Sequence, residues 1–241
     1  MLGGGVLLLA LFVLVERRAA DPVVPLRLLS NRLIVTTSLI SACVGAVLLG
    51  LTTYVPTYVQ EALGTGPLVA GFALAALTVG WPVSASQAGK LYLRIGFRAT
   101  ALLGSVVVVA ATAALLLLDA TSSVLQVGVT CFAIGLGMGI TAAPTLIAAQ
   151  SAVGWQQRGV VTGTNMFFRS MGSSIGVAAF GAVVNGTLGA ASLESADVGP
   201  GRLTDAVHHV FVATAGVSVL LLLAVLLMPR DRQTEQQPAT A

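Results

Sequence analysis

Six long apolar runs separated by short polar stretches set the pattern of this chain. They are Leu33–Tyr58, Leu68–Ala88, Thr100–Leu118, Val124–Ala149, Gly163–Asn185 and His208–Met228. Each holds 19 to 26 residues, and a helix needs roughly 20 to cross a hydrocarbon layer about 30 Å thick. No run alternates apolar and polar positions as a barrel strand does, and lipid cannot satisfy an open sheet edge. The pattern therefore predicts six transmembrane helices. A shorter run, Leu2–Val15, extends only about 20 Å as a helix. It reads as the second half of a further span, which makes the chain part of a longer one. Residues 16–32 follow as a polar linker in which Pro22 and Pro25 interrupt any helix. The polar tail 229–241 reads as disordered. The expected organisation is a partial helix over 1–15, a cytoplasmic linker over 16–32, a six-span bundle over 33–228 and a cytoplasmic tail over 229–241.

Composition agrees with a lipid solvent. Apolar residues make up 56% of the chain and charged residues 9%, against about one quarter charged in a soluble domain. The few charges are sorted by side. Arg17, Arg18, Arg27, Arg32, Lys90, Arg94, Arg98, Arg158, Arg230 and Arg232 fall in one set of polar segments, whereas the alternate set holds only Arg202. The positive-inside rule makes the first set cytoplasmic and places the C-terminus inside. The expected location is the cell membrane. No basic run points to nucleic acid.

Candidate chemistry is sparse. All nine acidic residues lie in loops, at span ends or in the tail, and no nucleophile and base share a span, so an enzyme is not expected. Cys43 and Cys131 lie singly in apolar runs and read as packing residues. The histidines are the adjacent pair His208–His209, so no metal or cofactor site is expected. The informative charge is Arg169, about 9 Å into its run from Gly163 by helical rise. A cation at that depth is costly unless it reaches the interface or faces protein or water. Two readings stand: snorkelling to the inner surface, or an interior cation on a polar face with Asn165, Ser173 and Gly176. Gly135, Gly137 and Gly139 permit close helix packing or a bend. Tyr54 and Tyr58 end the first complete span near the outer aromatic belt. The stretch Gly89–Arg98, GKLYLRIGFR, reads as a cytoplasmic loop with turns at Gly89 and Gly96.

Four blocks resemble one family. The linker holds Glu16, Pro22, Pro25, Leu26, Arg27 and Leu28. Tyr54, Pro56, Tyr58 and Gln60 precede Gly64, Gly66–Pro67 and Ala70–Gly71. Gly89, Leu91, Arg94, Gly96 and Arg98 match a Gly-x-Leu-x-Asp-Arg-x-Gly-x-Arg loop, except that Leu93 stands at the acidic position. Arg158–Gly159, Gly163, Asn165, Arg169, Gly172 and Gly176 form the last block. Together they resemble the C-terminal half of a fourteen-span drug:proton antiporter of the major facilitator superfamily. The resemblance implies an all-α integral membrane fold, with one six-helix bundle of a major facilitator transporter and a partial preceding helix. It implies alternating access, with proton-driven efflux of drugs or other small amphipathic compounds. The partners it implies are the bilayer and, if an N-terminal half completes the site, a small-molecule substrate and a proton. The candidates for a substrate pathway are Tyr54, Asn165, Arg169 and Ser173. Those for a gating loop are Gly89, Arg94, Gly96 and Arg98. Without an acid at position 93 no carboxylate–arginine lock forms within that loop. Arg94 and Arg98 are then expected at lipid headgroups or at the C-termini of neighbouring helices. The alternative is a stand-alone half-transporter or scaffold that pairs with another membrane chain.

Overall fold

A computed structural model describes residues 30–119, 122–188 and 200–229, without the side chains of 200–203. The short first run, the linker up to residue 29 and the tail from residue 230 lie outside the described residues. The six long runs are helices: α1 (Arg32–Glu61), α2 (Pro67–Ile95), α3 (Phe97–Leu115), α4 (Val124–Ser151), α5 (Arg158–Leu188) and α6 (Pro200–Leu226). A short 3₁₀ turn, Trp155–Gln157, leads into α5. Among the described residues there is no strand. All six helices are long and apolar enough to cross a membrane.

Local chemistry sets most ends. Asn31 caps α1 by accepting from the Leu33 amide at 2.9 Å. Ser123 and Gln126 form a reciprocal capping box at the start of α4, which satisfies two amides that the first turn leaves open. Pro67 starts α2 behind Gly66, where a missing N–H costs nothing. Gly64 takes a positive φ of 62° in the turn between α1 and α2.

Two boundaries differ from the pattern in the sequence. The stretch Gly89–Arg98 is not a loop. Gly89 lies inside α2, which continues to Ile95, and α3 starts at Phe97. The whole reversal is made at Gly96, whose φ of 84° favours glycine. Hydropathy ended the run at Ala88 because Lys90 and Arg94 are charged, yet charged residues continue a helix readily once it emerges into water. Likewise α5 continues to Leu188 and α6 begins at Pro200. The polar segment between them is therefore shorter than residues 186–207.

The packing has a simple order. α1 runs along α5 and α6, α4 runs along α2 and α3, and α3 meets α6. Advancing each helix by three maps α1–α5 onto α4–α2, α1–α6 onto α4–α3, and α3–α6 onto itself. The bundle is thus two three-helix units in a pseudo-two-fold arrangement. The α1–α5 and α2–α4 contacts are made by backbone on backbone. A Cβ on Gly172 of α5 would strike the Ala42 carbonyl of α1, and one on Gly45 would strike the Arg169 carbonyl. At the equivalent contact, a Cβ on Gly135 would strike the Leu77 carbonyl, and one on Gly80 would come within 2.6 Å of the Phe132 carbonyl. Lipid tails are as apolar as leucine, so helices associate by this close fit rather than by burial from water.

Larger side chains fill the remaining centre. Phe180 meets Tyr54 edge-on at 6.5 Å, and Phe211 meets Tyr58 at 5.4 Å. Cys131 and Cys43 are both buried and unbridged. Buried hydroxyls return their protons to carbonyls one turn back, as Thr141 does to Gly137 at 2.8 Å. Thr112 of α3 and Ser218 of α6 bond in the same way and also meet each other across helices at 2.7 Å. The outward faces carry Leu39, Phe72, Val79, Leu103, Val129, Ile175 and Leu220, all exposed. Such a surface suits hydrocarbon and not water.

Gly172→Ala places a methyl group against backbone that has no rotamer to yield. It is expected to destabilise the bundle by about 1–3 kcal/mol, read as a fall in thermal midpoint in a fixed detergent. Gly163→Ala on the same helix meets nothing within 4 Å. It should leave stability unchanged or raise it by up to about 1 kcal/mol.

Candidate functional site

Asn165, Arg169, Ser173 and Gly176 recur at helical spacing on α5, and the structure turns this face toward α1. Asn165 accepts from the Ser41 hydroxyl at 2.5 Å and donates to the Thr37 carbonyl at 3.3 Å. Ser173 donates to the Gly45 carbonyl at 3.0 Å. A Cβ on Gly176 would lie 2.8 Å from the Ala46 Cβ. Asn165 and Ser173 thus tie α5 to α1 on either side of Arg169.

Arg169 does something different. Its guanidinium lies over the indole of Trp81, 4.5 Å from the ring centroid. Trp81 belongs to α2, and α2 and α5 are not among the helix pairs that pack closely. The pair spans a gap that no backbone contact closes. Trp81 is fixed from behind, because a Cβ on Gly139 of α4 would strike its carbonyl. Pro82 follows directly and interrupts the hydrogen-bond ladder of α2 at this level.

Depth follows from helix geometry. Trp81 is the fifteenth of the 29 residues of α2 and stands seven residues, about 10 Å, before Ala88, where the apolar run ends. Arg169 is the twelfth residue of α5 and lies about 9 Å beyond Gly163, where its apolar run starts. The guanidinium therefore lies within the apolar span and points across the bundle onto Trp81 rather than back along α5.

The electrostatics are unbalanced. Nε and Nη2 of Arg169 are buried and have no hydrogen-bond partner. Stacking on an indole contributes about 0.5–2 kcal/mol. Each buried donor left without an acceptor costs about 1–3 kcal/mol, so the pair as it stands is a net cost to folding. The described carboxylates cannot remedy this. Glu61 ends α1, Asp119 follows α3, and Asp205 lies in the second turn of α6.

The other candidates lie elsewhere. Tyr54 is nine residues beyond Gly45 on α1, about 13 Å along the helix, and packs on Phe180. Arg94 is exposed in the last turn of α2. Arg98 donates from Nη2 to the Leu226 carbonyl at 2.7 Å, at the C-terminal end of α6, where a cation meets unsatisfied carbonyls. A groove of about 480 Å³ between the first turns of α2 and α4 is lined by apolar residues, among them Phe72, Leu125 and Phe132. It offers no polar group to orient a ligand. Trp81 was absent from the residues the sequence singled out. Its signal was available: tryptophan belongs at membrane interfaces, and this one stands within the apolar span beside a proline.

Known proteins resolve the family. The sequence profile of the Major Facilitator Superfamily matches residues 1–177. This chain belongs to the major facilitator superfamily. It is accordingly a multi-pass membrane protein with that superfamily's all-α fold, and the three-helix repeat is the inverted repeat nested within each half of such transporters. Relatives include the multidrug transporter protein MdtP of Bacillus subtilis (strain 168), 30% identical over 74% of this chain and 33% of the relative. Multidrug resistance protein 3 of the same organism is 29% identical over 71% of this chain and 34% of its own length. The puromycin resistance protein pur8 of Streptomyces alboniger is 33% identical over 92% of this chain and 45% of its own. The chain thus spans about a third to under half of these superfamily relatives.

Opposite stability effects are expected within this site. Arg169→Met removes unsatisfied donors while keeping length and should stabilise the protein by about 1 kcal/mol or more. Asn165→Ala strands the Ser41 hydroxyl and should destabilise it by about 1–2 kcal/mol. Thermal midpoints in one lipid–detergent mixture give both signs.

Proposed function

We propose that this chain supplies one six-helix bundle of a drug-efflux transporter working by alternating access. The observation that carries this reading is the Arg169–Trp81 pair, a cation held within the apolar span between α2 and α5 at a net cost to stability. Proteins retain such features where they serve function rather than folding. Relatives named for multidrug transport and for puromycin resistance support the substrate class. In this reading Tyr54, Asn165, Arg169 and Ser173 border the pathway. Of these Arg169 faces the substrate, while Asn165 and Ser173 hold α5 against α1 beneath it. A second bundle, from the same polypeptide or a partner chain, closes the other side.

The protein acts as a carrier in the cell membrane and not as an enzyme. Proton entry drives export, and the coupling carboxylates belong to the other bundle, since the acids of this chain stand at helix ends and in polar segments. The C-terminus is cytoplasmic. The α2–α3 corner at Gly96 is the cytoplasmic gate region, with Arg98 tying it to the end of α6 and Gly89 and Arg94 in the last turns of α2.

Cells carrying the complete transporter should retain less of an amphipathic fluorescent dye than cells lacking it, and an uncoupler should abolish the difference. Arg169→Ala should raise retention several-fold at unchanged membrane abundance. Equal retention with and without the transporter would sink this reading. Orientation has its own test. A fluorescent protein fused after Ala241 should fluoresce, whereas alkaline phosphatase fused there should be inactive; the reverse result would invert the topology.

A further inference from the structure

The transport reading leaves open what chemistry the substrate presents to this bundle. Among the described residues, the Arg169 guanidinium is distinguished by its want of an acceptor. Two of its nitrogens are buried and unbonded, its face is taken by Trp81, and Ser173, one turn away, is committed to Gly45. The described acids stand at or near helix ends, away from Trp81 and Arg169. The guanidinium is laid on Trp81, across the bundle, and not back along α5 toward the membrane surface. An acceptor must therefore be brought to it.

We propose that Trp81 and Arg169 form a binding site for an anionic oxygen, a carboxylate or its equivalent, carried on an apolar or aromatic body. The pieces suit such a ligand. A guanidinium offers paired N–H donors in a planar fork that matches a carboxylate. Low dielectric within the apolar span strengthens the charge-assisted bond. The indole keeps the guanidinium oriented before the ligand arrives, which lowers the ordering cost of binding. Binding draws the fork off the indole or slides it along the ring, so Trp81 senses occupancy. The inference rests on the transport reading for its purpose, but its test does not require transport.

The chain has two tryptophans. The other, Trp155, is 80% exposed near the start of α5, under Arg158. The full chain carrying Trp155→Phe therefore reports from Trp81 alone. In lipid nanodiscs, Trp81 emission is followed during titration with benzoate and, separately, with benzamide, its uncharged analogue. The expected result is a saturable change with benzoate at a half-point at least about ten-fold below that of benzamide. It should vanish in Arg169→Gln and in Arg169→Met and persist, weakened, in Arg169→Lys. A benzoate response that is absent, no tighter than that of benzamide, or intact in Arg169→Gln overturns the proposal.

Two sources of the acceptor separate in the complete transporter. If the exported compound brings it, that compound competes with benzoate. If a carboxylate of the other bundle brings it, benzoate binds only after that carboxylate is neutralised. Benzoate binding without efflux would leave the site standing and remove the transport reading. Efflux with no benzoate response would do the reverse.

Discussion

Where Gly172 meets Ala42 and Gly135 meets Leu77, helix backbones touch with no side chain between them. Gly104 and Gly137 join α3 to α4 in the same way. Water drives helices together in a soluble protein, but hydrocarbon does not, so association depends on shape. Close approach lets dispersion act over long surfaces, and each contact is individually tiny and collectively large. The same approach fixes the angle at which α1 crosses α5 and α2 crosses α4. The pseudo-two-fold order follows, because the two crossings are equivalent under a shift of three helices. The aromatic centre, with Phe180 on Tyr54 and Phe211 on Tyr58, fills what the crossings leave.

The crossings also make the candidate site. They consume the polar groups of α5 that can be consumed: Asn165 bonds to α1 on one side of the contact and Ser173 on the other. Arg169 lies between them on the same stripe, yet its length carries the guanidinium past α1 and onto α2. α2 is in turn held from behind by α4, through the close fit at Gly139. Two tight joints thus present a cation and an indole to each other across a gap that neither joint closes. Rigid elements carrying an unsatisfied group at their junction are what a recognition site requires. A loose bundle would let the guanidinium find water or the interface.

The corner at Gly96 shows the same economy. One residue with positive φ reverses the chain, and Tyr92 stacks on Phe97 across it at 4.7 Å. Arg98 then reaches the last carbonyls of α6. This bond ties the α2–α3 connection to the end of α6 and so links the two three-helix units at one end of the bundle. With Leu93 exposed at the position where the superfamily pattern carries an acid, the coupling runs through a helix terminus and not through a salt bridge inside the turn.

Hydropathy alone determined the six membrane-length helices among the described residues, and where each lies to within a turn at most ends. Chain length in a bilayer admits few answers, and backbone groups in lipid admit only helix or closed barrel. The motifs of the chain likewise sufficed to indicate its superfamily. Sequence could not determine how far helices extend beyond the membrane, so Gly89–Arg98 read as a loop although most of it is α2. Hydropathy measures what lipid tolerates, and a helix does not end where lipid does. Nor could it decide the fate of Arg169. Spacing placed Asn165, Arg169 and Ser173 on one face of α5. Whether the guanidinium snorkels or turns inward depends on what stands opposite, and that is Trp81, 88 residues earlier in the chain. Only the tertiary structure brings these two together, because the packing of α1 on α5 and of α2 on α4 sets the width of the gap between them.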